Sequence, residues 1–294
     1  MSANLLITGA TGFTGTLFCQ QLAHAQPETT ATILVRPKSD RTPLMALNLC
    51  LSYEIGDGSE AATWTRLIAD HQPNTIIHIA SIRHVPALLA ALQQHPQTPR
   101  LIVVGTTGVY SQYNQYAAGY RQIEAQLADY SGSHCLLRPT MIYGSARDKN
   151  LHKLIQFCDR YHSFPVFGSG RSLLQPVHAD DLAEAILTAY QRPQVTGAYD
   201  LSGGSVVSFR ELLALISRLL DKPVRPIPLP LRASAIAAGL LETLLGRRSP
   251  IRREQILRLQ EDKAYPHDAA HRDLDFAPRS LAAGLQAEIA QLRA

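Results

Sequence analysis

Short apolar runs recur along the first two-thirds of the chain, and amphipathic stretches separate them. The runs Asn4–Thr8, Ala31–Val35, Thr75–Ile79, Arg100–Val104 and His134–Arg138 are rich in Ile, Val and Leu. They do not alternate with polar residues, which predicts strands covered on both faces. Helical spacing lies between them, over Phe13–His24, Ala61–Asp70, Val85–Gln94 and Tyr116–Tyr130. Such an order predicts right-handed βαβ crossovers and an α/β fold with a doubly wound parallel sheet. After Arg138 the pattern loosens and Pro and Gly become frequent. Helical spacing returns over Ala179–Gln191, Phe209–Leu220, Leu231–Leu245 and Ser280–Arg293. Pro223, Pro226, Pro228 and Pro230 predict a linker before the third of these. Within Leu231–Leu245 the spacing of Leu231, Ile236, Leu240, Leu241, Leu244 and Leu245 predicts mainly a core face. A lid over an apolar substrate, or a membrane contact near Arg247 and Arg248, is the lesser alternative.

The first strand runs into Thr8-Gly9-Ala10-Thr11-Gly12-Phe13-Thr14-Gly15, and an amphipathic helix follows. Each glycine has a physical task in such a turn. Gly9 lets the chain leave the strand sharply, Gly12 lets backbone N–H groups approach a pyrophosphate, and Gly15 lets helix and sheet pack closely. The helix N-terminus then faces the phosphates. Gly9, Thr11, Gly12, Phe13, Thr14 and Gly15 are therefore the candidate cradle of a dinucleotide. This divides the chain into a dinucleotide-binding Rossmann domain over residues 1–165, with 177–200 packed on it. A smaller interleaved α/β substrate lobe takes 166–176 and 201–294.

Composition narrows the picture further. The 294 residues can bury a sizeable core. There are 28 basic and 24 acidic residues, a formal charge of +4, which gives no argument for nucleic acid. The basic residues are lopsided: only Lys38, Lys149, Lys153, Lys222 and Lys263 are lysines. Cys19, Cys50, Cys135 and Cys158 have no metal-ligand spacing, so no metal is expected, and buried reduced thiols are predicted for Cys19 and Cys135. No charged leader with an apolar run precedes the first strand, and no run of 18 apolar residues occurs. The expectation is a cytoplasmic protein without an integral membrane segment.

The second strand leads into Val35-Arg36-Pro37-Lys38. An acidic residue here would suit the ribose 2′-OH of NAD, whereas Arg36, with Lys38 and Arg41 nearby, suits a 2′-phosphate. NADP(H) is thus preferred, with NAD(H) as the alternative. His78 sits within an apolar strand and reads as a packed histidine rather than a catalyst.

The T-G-x-x-G-x-x-G spacing resembles the extended and atypical branches of the short-chain dehydrogenase/reductase superfamily, the NAD(P)-dependent epimerase/dehydratase type. The resemblance continues through Gly105-Thr106-Thr107-Gly108-Val109-Tyr110, Arg138-Pro139-Thr140-Met141-Ile142-Tyr143-Gly144, Gln175-Pro176-Val177-His178-Ala179-Asp180-Asp181 and the closing Asp275–Leu285 segment. It implies that Asp57, followed by Gly58, bonds the adenine amino group, and that Ala80 and Ser81 let the backbone pass beneath the cofactor. It implies further that Pro139 begins the wall of the nicotinamide pocket and that Thr106 is the catalytic hydroxyl, with Thr107 adjacent. The family's acid/base tyrosine belongs to Tyr-x-x-x-Lys, where the lysine lowers the phenol's pKa and holds the nicotinamide ribose. Between Lys38 and Lys149 this chain has no lysine. Aligning on Glu124 puts Tyr116 at the tyrosine position and Tyr120 at the lysine position, with Arg121 next door. Asp180 and Asp181 have a structural reading as helix-start residues. The family's diphosphate-binding arginine is replaced by Leu174, with Arg171 three residues earlier.

Two functions follow from the resemblance. One is an NAD(P)-binding oxidoreductase or epimerase/dehydratase-like enzyme, moving hydride to or from a small carbonyl or alcohol substrate held by Thr106 and Tyr116. The alternative is a non-catalytic NADP(H)-binding scaffold or redox sensor with a stable protein partner, similar to the dinucleotide-binding accessory subunit of respiratory complex I. A homodimer is one arrangement open to either.

Overall fold

The computed structural model describes residues 4–145, 148, 150–246 and 252–293. The strands are β1 (Leu5–Thr8), β2 (Thr30–Val35), β3 (Cys50–Ile55), β4 (Thr75–His78), β5 (Arg100–Val104), β6 (His134–Pro139), β7 (Ile142–Tyr143), β8 (Ser163–Phe167), β9 (Leu173–Leu174), β10 (Val177–His178), β11 (Gly197–Leu201), β12 (Val207–Ser208) and β13 (Arg225–Leu229). The helices are α1 (Phe13–Ala25), α2 (Thr42–Met45), α3 (Ala61–His71), α4 (Val85–Leu92), α5 (Ala117–Ala128), α6 (Leu151–Tyr161), α7 (Ala179–Gln191), α8 (Phe209–Leu220), α9 (Leu231–Leu245), α10 (Arg253–Arg258), α11 (Asp268–Leu274) and α12 (Leu281–Arg293).

Seven strands form one parallel sheet in the order β11-β6-β5-β4-β1-β2-β3. The strand order reverses between β1 and β4, which opens a crevice at the carboxyl ends of the central strands. The non-alternating apolar runs are explained by cover on both faces. Leu5 and Ile7 belong to one core with Phe18 of α1, Leu182 and Ile186 of α7 and Leu274 of α11. Leu6, between them, belongs to the opposite core with Trp64 of α3, Leu88 of α4 and Leu127 of α5. Arg100, at the start of β5, donates to the carbonyls of Ala189, Arg192 and Val195 at 2.7–3.0 Å, closing the C-terminal end of α7. Strand β11 lacks a strong apolar signal in the sequence, yet it completes the sheet beside β6.

A third core gathers α6, α8 and α12 around Val166 of β8. Helix α6 lies within the 1–165 stretch yet shares this lobe core, and α11 packs back against the sheet. The proline-rich stretch predicted as a linker is in fact strand β13, parallel to β8. Arg225 donates to the His162 carbonyl and the Leu229 carbonyl accepts from Gly168. Pro226 and Pro228 fall between these hydrogen-bonding residues in a two-stranded sheet, where a missing N–H costs little.

Helix α9 also departs from expectation. Its buried residues are Ala235 and Ala238, packed with Ile256 of α10, whereas Ile236, Leu240 and Leu244 are 64%, 62% and 80% exposed. Small residues make the packing face because α10 lies close against it. Arg247 and Arg248 lie outside the described residues. No helix among the described residues is long and apolar enough to cross a membrane.

Candidate functional site

The crevice at the strand reversal is a cleft of about 820 Å³. It is lined by the first glycine loop, the loop after β2, the turn after β3, the segment after β4, the end of β5, and single residues of α5 and β7. Gly9 has φ +77°, and a Cβ there would sit 2.6 Å from the Ala80 amide nitrogen, so the loops after β1 and β4 touch only because Gly9 has no side chain. A Cβ on Gly15 would lie 2.1 Å from the Gly9 carbonyl oxygen, which fixes Gly15 as the helix–sheet contact. Gly12 is the N-cap residue of α1 and donates its own N–H to the Gly9 carbonyl at 2.9 Å. The donors left for an anion are therefore those of the first turn of α1, Phe13 and Thr14. No side chain caps this end and no acidic residue lies in its first turn. An uncapped helix N-terminus facing a cleft fits a pyrophosphate by both hydrogen bonding and dipole.

The predicted cofactor residues fall into two groups. Gly9, Thr11, Gly12, Arg36, Asp57, Gly58, Ala80 and Ser81 line the cleft. Phe13, Thr14, Gly15 and Pro139 are not among the residues that line it, and Thr14, Gly15 and Pro139 are buried. The Pro139 carbonyl accepts from the Thr107 hydroxyl at 3.2 Å. Asp57 accepts from the Ser59 amide and hydroxyl, at 2.9 and 2.8 Å, which holds its carboxyl below the usual carboxylate range. Arg36 lies at the same end of the cleft, its amide donating to Ser39. Lys38 is exposed outside the cleft lining, and Arg41 stacks on Tyr53 at 5.2 Å, so Arg36 is the cation that faces the adenine end.

His78 is buried beneath the cleft floor. Its Nε2–H donates to the Ser81 carbonyl at 3.0 Å, so Nδ1 accepts from the Thr8 hydroxyl at 2.8 Å. Burial pushes this imidazole down to about 4. It is a neutral spacer between β1 and the segment after β4, as its place in an apolar strand suggests.

At the other end of the cleft stands Thr106, whose Oγ1 accepts from the Gly108 amide at 3.0 Å and keeps its own proton to donate. Thr107 is buried and spends its hydroxyl on Pro139, which separates the two adjacent candidates. Tyr116 is the N-cap residue of α5, 47% exposed and outside the cleft lining. Its ring lies 6.4 Å from that of Tyr120 and 5.3 Å below the Arg83 guanidinium. Tyr120, at the lysine position, lines the cleft with Arg83. Arg121 donates to the Val109 carbonyl at 2.9 Å, a backbone-holding role. Sequence reasoning missed Arg83, His84, Ser39 and Ile142 as lining residues. Ser39, Arg83 and His84 lie in the segments that follow β2 and β4, whereas Ile142 opens β7.

Two carboxylates fasten α5 and the segment before it. Glu124 forms a forked pair with Arg138 of β6, at 3.0 and 2.7 Å. Glu261, from the lobe, accepts from the amides of Gln112 and Tyr113 and from the Ser111 hydroxyl at 2.6–3.1 Å. The lobe thereby sets the path by which the chain enters α5. Asp181 is held by Arg279 at 2.8 Å, and His178 caps α7 by accepting from the Asp180 amide, so this acidic pair is structural. The thiols of Cys19 and Cys135 are buried and pushed up to about 12, and Cys50 is exposed. No group of three or more potential metal ligands exists among the described residues.

A parallel sheet with this strand reversal, a glycine turn under an uncapped helix and a cleft running on to a hydroxyl define a Rossmann-type dinucleotide-binding protein. The chain belongs to the NAD dependent epimerase/dehydratase family, whose model matches residues 5–201. Solved structures of similar fold include that of gox2253, with TM-score 0.76 and 19% identity, covering 99% of this chain and 98% of that one. Another is dTDP-glucose 4,6-dehydratase from Bacillus anthracis str. Ames in complex with NAD, with TM-score 0.74 and 15% identity, covering 99% and 96%. At these identities the likeness concerns the fold. Among curated proteins, the mitochondrial NADH dehydrogenase (ubiquinone) 1 alpha subcomplex subunit 9 of Arabidopsis thaliana is 25% identical over 156 residues, half of this chain and 39% of that protein. An uncharacterized protein of Sinorhizobium fredii is 27% identical over 144 residues, 49% of this chain and 36% of its own length. The chain thus matches well under half of the length of these curated relatives.

Proposed function

We propose that the protein binds NADP(H) in the cleft and moves hydride between that cofactor and a small carbonyl or alcohol. The observation that carries the reading is the continuity of the cleft, from the glycine turn and Arg36 at one end to Thr106 at the other. Bound there, the nicotinamide supplies the hydride. The first turn of α1 binds the pyrophosphate, Asp57 accepts from the adenine amino group, and Arg36 pairs with the 2′-phosphate. Thr106 donates a hydrogen bond to the substrate oxygen. Tyr116 exchanges a proton with that oxygen, its ring held by Arg83, which lines the cleft.

Tyr116→Phe is expected to lower turnover by about 10²–10⁴-fold with little change in cofactor affinity, because only the proton-transfer group is removed. Stopped-flow or steady-state NADPH oxidation reads the first quantity and calorimetry the second. Unchanged turnover would remove Tyr116 from the chemistry. A second reading, a cofactor-holding scaffold without turnover, is favoured by Tyr120 at the lysine position and by Arg121 being spent on Val109. It predicts tight NADP(H) binding and no turnover across ketone and nucleotide-sugar panels. As enzyme or as scaffold, the protein is proposed to work in the cytoplasm, with homodimerisation a further expectation.

A further inference from the structure

A second cavity, of about 410 Å³, lies in the lobe beside the cofactor cleft. Met141 lines this cavity and the next residue, Ile142, lines the cleft, so the start of β7 is a wall that both spaces border. The volume is that of a small-molecule pocket. Its walls are mainly apolar: Met141, Leu154, Phe164, Phe167, Leu174 and Phe209.

Among the described residues one cation lines it, Lys263. The Lys263 backbone is fixed, its amide donating to the Leu173 carbonyl at 2.7 Å. Its Nζ donates one hydrogen bond, to the Arg258 carbonyl at 2.8 Å, and so has two further protons to give. No Asp or Glu is among the described residues that line it. Glu261, the carboxylate that acts on Lys263, accepts from the amides of residues 112 and 113 and the Ser111 hydroxyl. Gln175, also in the wall, is spent at both ends: its Nε2 donates to the Gly203 carbonyl and its Oε1 accepts from the Tyr265 amide. Burial, and then the neighbouring Arg258 charge, lower this ammonium's affinity for protons, with Glu261 opposing them.

We infer that the lobe cavity takes the apolar body of a mono-carboxylate, its carboxylate against Lys263, with the reacting carbonyl or alcohol reaching past Met141 toward Thr106. This deepens the proposed function, on which the assignment of a reacting group rests, and it sets the substrate apart from a nucleotide sugar. A nucleotide sugar carries two phosphate charges and a polar ring, whereas the described lining offers one cation, with Asn150, Ser172 and Gln175 the other polar side chains in a mainly apolar wall.

The test is titration calorimetry on the full chain without cofactor, using decanoate, 1-decanol and UDP-glucose as probes. Decanoate is expected to bind with a stoichiometry of one and more tightly than 1-decanol, and UDP-glucose not to compete with it. Lys263→Met should weaken decanoate at least 10-fold and change 1-decanol less than 3-fold. Leu174→Trp, which fills the cavity, should abolish binding of both, and an unchanged thermal unfolding midpoint without ligand certifies the fold of each variant. Decanoate binding insensitive to both variants, or displacement of decanoate by UDP-glucose, overturns the inference. Because these arms use neither cofactor nor turnover, failure to bind NADPH would count against the proposed function alone, and loss of the Lys263 effect against the cavity assignment alone.

Discussion

Arg138→Met is expected to destabilise the protein by about 3–5 kcal/mol, the range for removing one partner of a buried ion pair. Arg138 and Glu124 have side-chain exposures of 17% and 12%. The guanidinium forks onto both Glu124 oxygens and also lies 3.7 Å from Asp200 and 3.2 Å from the Tyr110 hydroxyl. Asp200 already has its carboxyl raised by burial, and Tyr110, which donates to it, is pushed up to about 12 by the same cause. Without Arg138 two partly buried carboxylates face each other with only a phenol between them. The pair also fastens α5, which carries Tyr120 and begins at Tyr116, to the end of β6, so turnover should fall with stability. Urea unfolding reads the cost directly. A second substitution, Glu124→Leu, should recover part of it by removing the orphaned charge. A loss below about 1 kcal/mol would mean that this pair behaves as a solvated surface bridge.

The second large effect has the opposite sign. Glu288→Gln is expected to stabilise the protein above neutral pH by about 3 kcal/mol. Glu288 of α12 is 1% exposed, and neither carboxylate oxygen accepts a hydrogen bond of good geometry among the described residues. His152 faces it at 3.5 Å, and the unpartnered hydroxyl of Tyr143 lies in the same buried region. Burial and the charge of Asp148 raise its carboxyl to about 7, against 4.5 for an unperturbed glutamate. Between those values the native state holds a proton that the unfolded chain releases. The stabilisation is therefore complete below pH 4.5 and lost as pH rises through 7. Glutamine carries no such charge, so the two proteins should unfold alike at pH 4.5 and diverge by pH 8. Equal unfolding midpoints at pH 8 would show that His152 fully compensates the buried charge.

The sheet and its chemistry were legible in the sequence for different reasons. Non-alternating strands betray a sheet covered on both faces, and the spacing of Gly9, Gly12 and Gly15 follows from contacts that a Cβ would destroy. The cleft residues Arg36, Asp57 and Ala80 were legible because each immediately follows a strand end. The lobe was harder to read. Pro226 and Pro228 read as a linker because a single sequence does not show that they occupy the non-bonding positions of a two-stranded sheet. The leucines of α9 read as core because helical spacing gives a face but not its partner, and the structure buries the alanines instead. Tyr120 rather than Tyr116 lining the cleft depends on where α5 begins, and that is set by Glu261, 148 residues from Tyr113 in sequence, a contact that no local pattern encodes.

The account rests on the cleft under the first glycine turn holding a nicotinamide dinucleotide through the first turn of α1, with Arg36 selecting the 2′-phosphate. Thermal unfolding with NADPH and NADH over a concentration series tests this most directly. NADPH at about 100 times its dissociation constant should add about 2.7 kcal/mol of stability, and NADH at the same concentration less. Arg36→Asp should cancel or reverse that preference. No shift with either dinucleotide at millimolar concentration would contradict the account.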